Sequence, residues 1–162
     1  MKKYNERIPS TTQRGSVSVP DRLQILDRTE DFAVLATDDQ GMPYTSLVSF
    51  ALTPDLKKAV FATPKDTRKY RNITSSHNTA LLVDNRSKKK KALMETEAVT
   101  IIGKGKPVKK GREWDRLAAL FIKKHPDLEM FVRSPSTALI DIDIVRCIHV
   151  SRFQTVSVWD CK

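Results

Sequence analysis

The chain has 162 residues, enough for one well-buried core and too few for two comfortable domains. Hydrophobic residues at 40% and charged residues at 30% are ordinary globular chemistry and exclude a disordered chain. A formal net charge of +10 would suit a nucleic-acid binder, so the placement of that charge matters.

Residues 1–20 carry little periodicity, end in a Val-Pro step and read as an arm. Their first stretch, MKKYNERIPS, is basic but lacks the apolar run of a secretory signal. PDRLQILDRTE (20–30) suits a short helix, with Asp21 near its start and Leu23, Ile25 and Leu26 on one side. DFAVLAT (31–37) is a compact apolar strand, and DDQG a turn with Gly41 available for a positive φ. PYTSLVSFAL (43–52) alternates: Tyr44, Ser46, Val48 and Phe50 share one face, Thr45, Leu47, Ser49 and Ala51 the other. TPDLKK turns the chain into AVFAT (59–63), which completes a three-strand meander. PKDTRKYRNITSS (64–76) breaks the pattern as a candidate short helix, with Asp66 or Thr67 placed as its N-cap.

TALLVDN (79–85) returns to strand, while the Lys88–Lys91 run and ALME read as loop. TEAVTIIGKGKPVK (96–109) is a long strand in which Gly103 and Gly105 mark a bend or bulge. REWDRLAALFIKKHP (112–126) is the clearest helix, lined by Trp114, Leu117, Ala118 and Phe121 and closed by Pro126. TALIDIDIVRCIHV (137–150) and RFQTVSVW (152–159) supply the last strands. About seven strands joined by short turns predict a mainly β chain folded as a closed or nearly closed antiparallel barrel. One domain covers residues 1–162, with the barrel over 30–160.

No apolar run approaches the roughly 20 residues that cross a bilayer. Cys147 and Cys161 form no CxxC and are too few for a disulfide framework, so a cytoplasmic protein with reduced thiols is expected. Much of the positive charge lies in Lys88–Lys91 and in Lys104, Lys106, Lys109, Lys110 and Arg112. A solvated loop and an exposed strand edge account for it, with attraction to phosphate-bearing ligands or nucleic acid as the alternative. Few aromatic residues fall at strand centres, which argues against a nucleic-acid-binding barrel. His77, His125 and His149 are scattered without metal-ligand spacing, and His149 at a strand end reads as structural. GKGKPVKKG is not a phosphate-binding P-loop, and no GxSxG turn occurs. Asp141 and Asp143 share one strand face, which alternation along a half-buried strand explains better than a carboxylate dyad.

The segment from Phe61 to Lys69 is different. A strand delivers Thr63, a turn follows, and a helix begins at Thr67 with two adjacent cations. Unpaired N–H groups and a partial positive charge make such a helix start favourable for phosphate. Thr63 and Thr67 offer hydroxyls and Arg68 a bidentate grip. A capped surface helix with solvated cations explains the same residues without a ligand.

Four pieces in order, FAVLATDDQGMPYTSLVSFAL, VFATPKDTRKYRNI, TALLVDN and EAVTIIGKGKPV, resemble the FMN-binding split-barrel superfamily that includes pyridoxamine 5′-phosphate oxidase. In that family a strand-ending threonine is followed four residues later by a Ser/Thr-Arg-Lys triplet, matched here by Thr63 and Thr67-Arg68-Lys69. The resemblance covers residues 30 to 110 well and is weaker beyond. It implies an antiparallel Greek-key split β-barrel that binds FMN at the interface of a homodimer.

Carried over by position, the resemblance makes Thr67, Arg68 and Lys69 the phosphate ligands, with Thr63 beside them. Ser46, Leu47, Val48 and Ser49 would run along the flavin ring, and Ala62 would allow its close approach. Glu97 and Trp159 are weaker candidates for contacts from the second chain. Two departures matter: the chain stops soon after Trp159, and the oxidase's phosphate-contacting arginine is replaced by Thr45-Ser46. The expectation is a flavoprotein oxidoreductase exchanging electrons with a small-molecule donor or acceptor, rather than a true pyridoxamine phosphate oxidase. Alternatives are a flavin carrier or sensor without its own substrate, or a relative that binds a deazaflavin or haem. No residue emerges as catalytic acid or base.

Overall fold

The computed structural model describes residues 18–86, 93–152 and 155–162. Nearly all of the expected arm and the whole Lys88–Lys91 run lie outside the described residues. Ser18 caps helix α1 (Val19–Thr29), its side chain accepting the Asp21 N–H at 3.2 Å, and α1 buries Val19, Leu23 and Leu26. Strands β1 (Phe32–Asp39) and β2 (Met42–Ser49) follow, joined by Gln40 and Gly41 at φ of 53° and 91°. Two consecutive left-handed residues are what a tight hairpin turn requires. The segment expected as one strand over 43–52 breaks at Phe50, and its end becomes the two-residue β3 (Ala51–Leu52).

Next come β4 (Lys58–Pro64), α2 (Arg68–Ser76), β5 (Asn78–Asp84) and β6 (Glu97–Pro107). Then α3 (Arg112–Lys124), α4 (Glu129–Arg133), β7 (Thr137–Ser151) and β8 (Thr155–Asp160) complete the chain. The ALME segment read as loop ends in a short 3-10 turn, Leu93–Glu95, and Pro126–Leu128 makes another that leads into α4. Lys109 and Lys110 belong to the loop after β6 rather than to the strand, and Lys110 Nζ lies 3.1 Å from the Trp114 ring centroid.

The described strands join one antiparallel sheet in the order β2-β1-β5-β6-β7-β4-β3, with β8 pairing the second half of β7 beyond β4. The expected three-strand meander is therefore only partly formed. β4 pairs with β3 only through Ala59 and Val60, and along its whole length it runs beside β7, from Lys58↔Asp143 to Pro64↔Thr137. The sheet curls into a split half-barrel that is mostly strand with few helices. Its inner face carries the buried Leu35, Phe61, Leu81, Ile101, Ile140 and Ile142. Trp114, Leu117, Ala118 and Phe121 of α3 are all buried, as the helix periodicity requires.

The bulge expected at the β6 glycines lies opposite them. Ile102 pairs with Arg146 and Gly103 with Ile144, so Val145 is the extra residue. Burial along β7 accordingly switches parity, from Ile142 and Ile144 to Cys147 and His149. A Cβ on Gly103 would stand 2.4 Å from the Asp143 carbonyl oxygen and 2.5 Å from Ile142 Cγ2. Gly103→Ala is therefore expected to cost about 2 kcal/mol through overpacking, read as a lowered urea midpoint.

Asp141 and Asp143 are both held by Lys58, whose Nζ is 2.5 Å from each carboxylate, and Lys106 Nζ lies 3.1 Å from Asp143. Burial opposes the charge on Lys58, but the two carboxylates outweigh it and raise its pKa. The pair is part of an ion network on the sheet, not a free dyad.

Candidate functional site

Thr67 takes extended backbone at φ −88° and caps α2, its Oγ1 accepting the Tyr70 N–H at 3.4 Å. The same hydroxyl donates to the Pro64 carbonyl at 2.9 Å and lies 3.0 Å from Thr63 Oγ1. Thr63 is buried on the inner face of β4, so strand end and helix start are tied through their hydroxyls. The N–H groups of Arg68 and Lys69 precede the helix's own acceptors and face outward with two cationic side chains. Gly105 of β6 admits α2 over the barrel end, since a Cβ there would meet Thr79 Cγ2 at 3.0 Å and Ile73 Cγ2 at 3.3 Å.

Helix α2 is also tied to the first hairpin. Asn72 Nδ2 donates to Thr37 Oγ1 at 3.0 Å, and Thr37 Oγ1 donates to the Tyr44 carbonyl at 3.4 Å. Arg68 Nε lies 3.4 Å from Asp39, and its guanidinium stands 5.3 Å from the Tyr44 ring centroid. Among the described strands β2 pairs only with β1. Because the hairpin turn closes on Asp39↔Met42, alternation aims the main-chain N–H and C=O of Leu47 and Ser49 along the open edge. Ser46 faces inward beside Val48, and its hydroxyl oxygen is buried without a hydrogen-bond partner among the described residues. Ala62 is half-buried on the face of β4 opposite Thr63.

The structure thus gathers Thr63, Thr67, Arg68 and Lys69 at one end of the strand that carries Ser46 to Ser49. Glu97 and Trp159 lie elsewhere in the same chain. Glu97 pairs in register with Ser151 at the far end of β7, whereas Thr63 pairs with Ala138 near its start. Its carboxylate accepts from Arg22 Nε at 2.8 Å, touches Arg22 Nη2, and accepts from His149 Nε2 at 2.8 Å. Burial pushes Glu97 up, but the hydrogen bonds from His149 and Arg22 outweigh it and hold the carboxyl at about 2. His149 is thus engaged by Glu97 through Nε2. Trp159 is half-buried against the core opposite Cys147, whose buried thiol is pushed up to about 12. Nothing in the sequence marks Thr37, Asp39 and Tyr44, which reach α2 only through strand register, or Asn72 on α2, which meets Thr37 there.

A groove of about 390 Å³ lies on the other face of β1 and β2, floored by Phe32, Val34, Leu47 and Leu82 and rimmed by Asp31, Asp84 and Arg86. Among the described residues no helix is long and apolar enough to cross a membrane, and no His, Cys, Asp and Glu group could hold a metal ion.

Residues 20–151 match the model of the pyridoxamine 5′-phosphate oxidase family, and the chain belongs to that family. No curated protein matches its sequence significantly. Its fold is similar to that of a heme binding protein from Mycobacterium smegmatis, with a TM-score of 0.78 at 15% identity over 90% of this chain. The chain spans 59% of that protein's length. It is similar to a putative pyridoxamine 5′-phosphate oxidase from Listeria innocua, with a TM-score of 0.60 at 12% identity over 89% of this chain and 100% of the other. An FAD-binding protein from Mesorhizobium loti aligns with a TM-score of 0.62 at 14% identity, over 82% of this chain and 94% of that one.

Proposed function

We propose that this chain is an FMN-binding flavoprotein, an oxidoreductase of unidentified substrate that works as a homodimer in the cytoplasm. The observation that carries the reading is the joined start of α2: two threonine hydroxyls 3.0 Å apart, two adjacent cations, and an open strand edge leading away from them. The donor set suits a flavin. Arg68, Lys69 and the first N–H groups of α2 would hold the phosphate, and Leu47 and Ser49 would offer main-chain groups to the ring. The buried Ser46 hydroxyl, without a hydrogen-bond partner among the described residues, lies on the inner face of the same strand. A bound flavin would supply the redox chemistry, and the protein its position.

The same reading takes the apolar face of the sheet as the dimer surface. Phe32, Leu47 and Leu82 are 56%, 65% and 36% exposed on neighbouring strands and form one apolar patch, which suits an interface. A two-fold interface on this face should bury well over about 1,000 Å². Light scattering at micromolar concentration is expected to give twice the chain mass, and a monomer that still holds flavin would sink the shared-site reading.

The absorption spectrum of the purified protein tests the cofactor. FMN gives bands near roughly 370 and 450 nm, whereas a Soret band would move the chain to the haem reading that likeness to the Mycobacterium smegmatis protein raises. The described imidazoles are each engaged through one nitrogen, His77 with Gly105, His125 with Phe50 and His149 with Glu97. Steady turnover with a reduced nicotinamide and a screened acceptor separates an enzyme from a flavin carrier or sensor.

A further inference from the structure

We infer that Asp39 tunes how strongly this site holds a doubly charged phosphate, sharing Arg68 with the ligand and weakening that hold. The inference rests on the flavin reading above and extends it from the cofactor's class to the charge of its phosphate. Asp39 ends β1 immediately before the Gln40-Gly41 turn, so the hairpin tip brings a carboxylate to the first residue of α2. Its Oδ2 stands 3.4 Å from Arg68 Nε, and the Tyr44 ring lies 5.3 Å from the guanidinium carbon. The arginine is thus held from two sides by one hairpin, through its Nε edge and its planar face. The remaining guanidinium N–H groups stay available to an anion.

The neighbouring acids have other settings. Asp38 Oδ1 accepts the Gly41 N–H at 2.6 Å and stabilises the turn. Asp66 is exposed, and it is its main-chain oxygen that accepts from Arg71, at 3.3 Å. Among the described residues Asp39 is the carboxylate paired with Arg68. A phosphate gripped by Arg68 would lie well inside one screening length of Asp39, which is about 8 Å at physiological salt. Each further negative charge on the phosphate is then repelled by Asp39 while it is attracted by Arg68 and Lys69. A phosphate monoester carries about −1.5 to −2 at neutral pH, and a diester linkage carries one charge per phosphate. Asp39 therefore weighs more heavily against FMN than against a flavin with a singly charged phosphodiester, such as riboflavin 4′,5′-cyclic phosphate.

Flavin fluorescence titrations of the wild-type protein and Asp39→Asn with FMN, riboflavin 4′,5′-cyclic phosphate and riboflavin test this. The substitution keeps shape and a hydrogen-bonding oxygen at a partly exposed position, so the fold is retained. Both side chains of the pair are well exposed, which limits the expected gain for FMN to about 2- to 5-fold. The cyclic phosphate should gain less, and riboflavin, which has no phosphate, should not change. FMN binding to the variant should also fall more steeply with added salt, a response that a purely structural role for Asp39 would not produce. Unchanged or weaker FMN binding in the variant, with flavin still bound by the wild type, overturns this inference alone and leaves Asp39 as a residue that orients Arg68. A wild-type protein that binds none of the three flavins overturns the flavin reading and this inference with it.

Discussion

Replacing Arg68 and Lys69 together by alanine is expected to weaken FMN binding on the order of 100-fold or more, while riboflavin binding stays nearly unchanged. The physical basis is local. Hydrogen bonds to charged groups contribute about 1.5–3 kcal/mol each, and about 2.7 kcal/mol already corresponds to 100-fold in affinity. Loss of Arg68 also leaves Asp39 without the cation 3.4 Å away, which adds repulsion toward any phosphate at the helix start. The Thr63–Thr67–Pro64 hydroxyl network and the Asn72–Thr37 bond do not involve either side chain, so α2 should keep its place. Fluorescence titration with both flavins separates the outcomes. Equal weakening of FMN and riboflavin would remove the phosphate role from these two residues. Changing Lys88 through Lys91 is the matched control for general charge, and FMN affinity should stay close to its wild-type value.

Arg22→Ala is expected to lower unfolding stability by about 3 kcal/mol at neutral pH, because it strips a charged partner from the buried Glu97. Glu97 is 7% exposed and bonded by Arg22 from α1 and His149 from β7, so the change loosens the helix from the sheet. The pH dependence gives the mechanism a sign. Glu97 has its pKa lowered from 4.5 to about 2 in the folded chain. Unfolded chains therefore bind its proton more readily, and the stabilisation is fully present above pH 4.5 and is lost as pH falls through about 2. The gap between wild type and Arg22→Ala should accordingly narrow as the pH is lowered across that window. Urea unfolding at pH 7, 4 and 2.5 reads it directly. A gap that stays constant would mean that Arg22 acts through packing of its stem rather than through Glu97.

What the sequence by itself determined is local. Apolar runs in DFAVLAT and AVFAT and the alternation of IDIDI set the strands, helical periodicity from Trp114 to Phe121 set α3, and Asp66 or Thr67 marked the start of α2. Each of these depends on neighbours a few residues apart, so a short window contains the whole cause. The family, too, was legible from four ordered pieces, because spacing between a strand-ending threonine and a Thr-Arg-Lys triplet survives in one dimension. Helix α4 was missed because five residues with only Val132 buried leave no period to read.

Only the tertiary structure decided which strand lies beside which, and with it the surroundings of the site. β4 departs from its sequence neighbour β2 to pair with β7, whose residues lie more than seventy positions later, and that departure leaves the β2 edge open. Nothing local distinguishes the pairing, since both strands present the same apolar alternation to either partner. Glu97 could be placed on a strand, but its engagement by Arg22 and His149 required α1 and β7 to close on it from both sides. Asp39 and Tyr44 reach Arg68 for the same reason: a hairpin tip and a helix start, distant along the chain, meet only when the sheet curls.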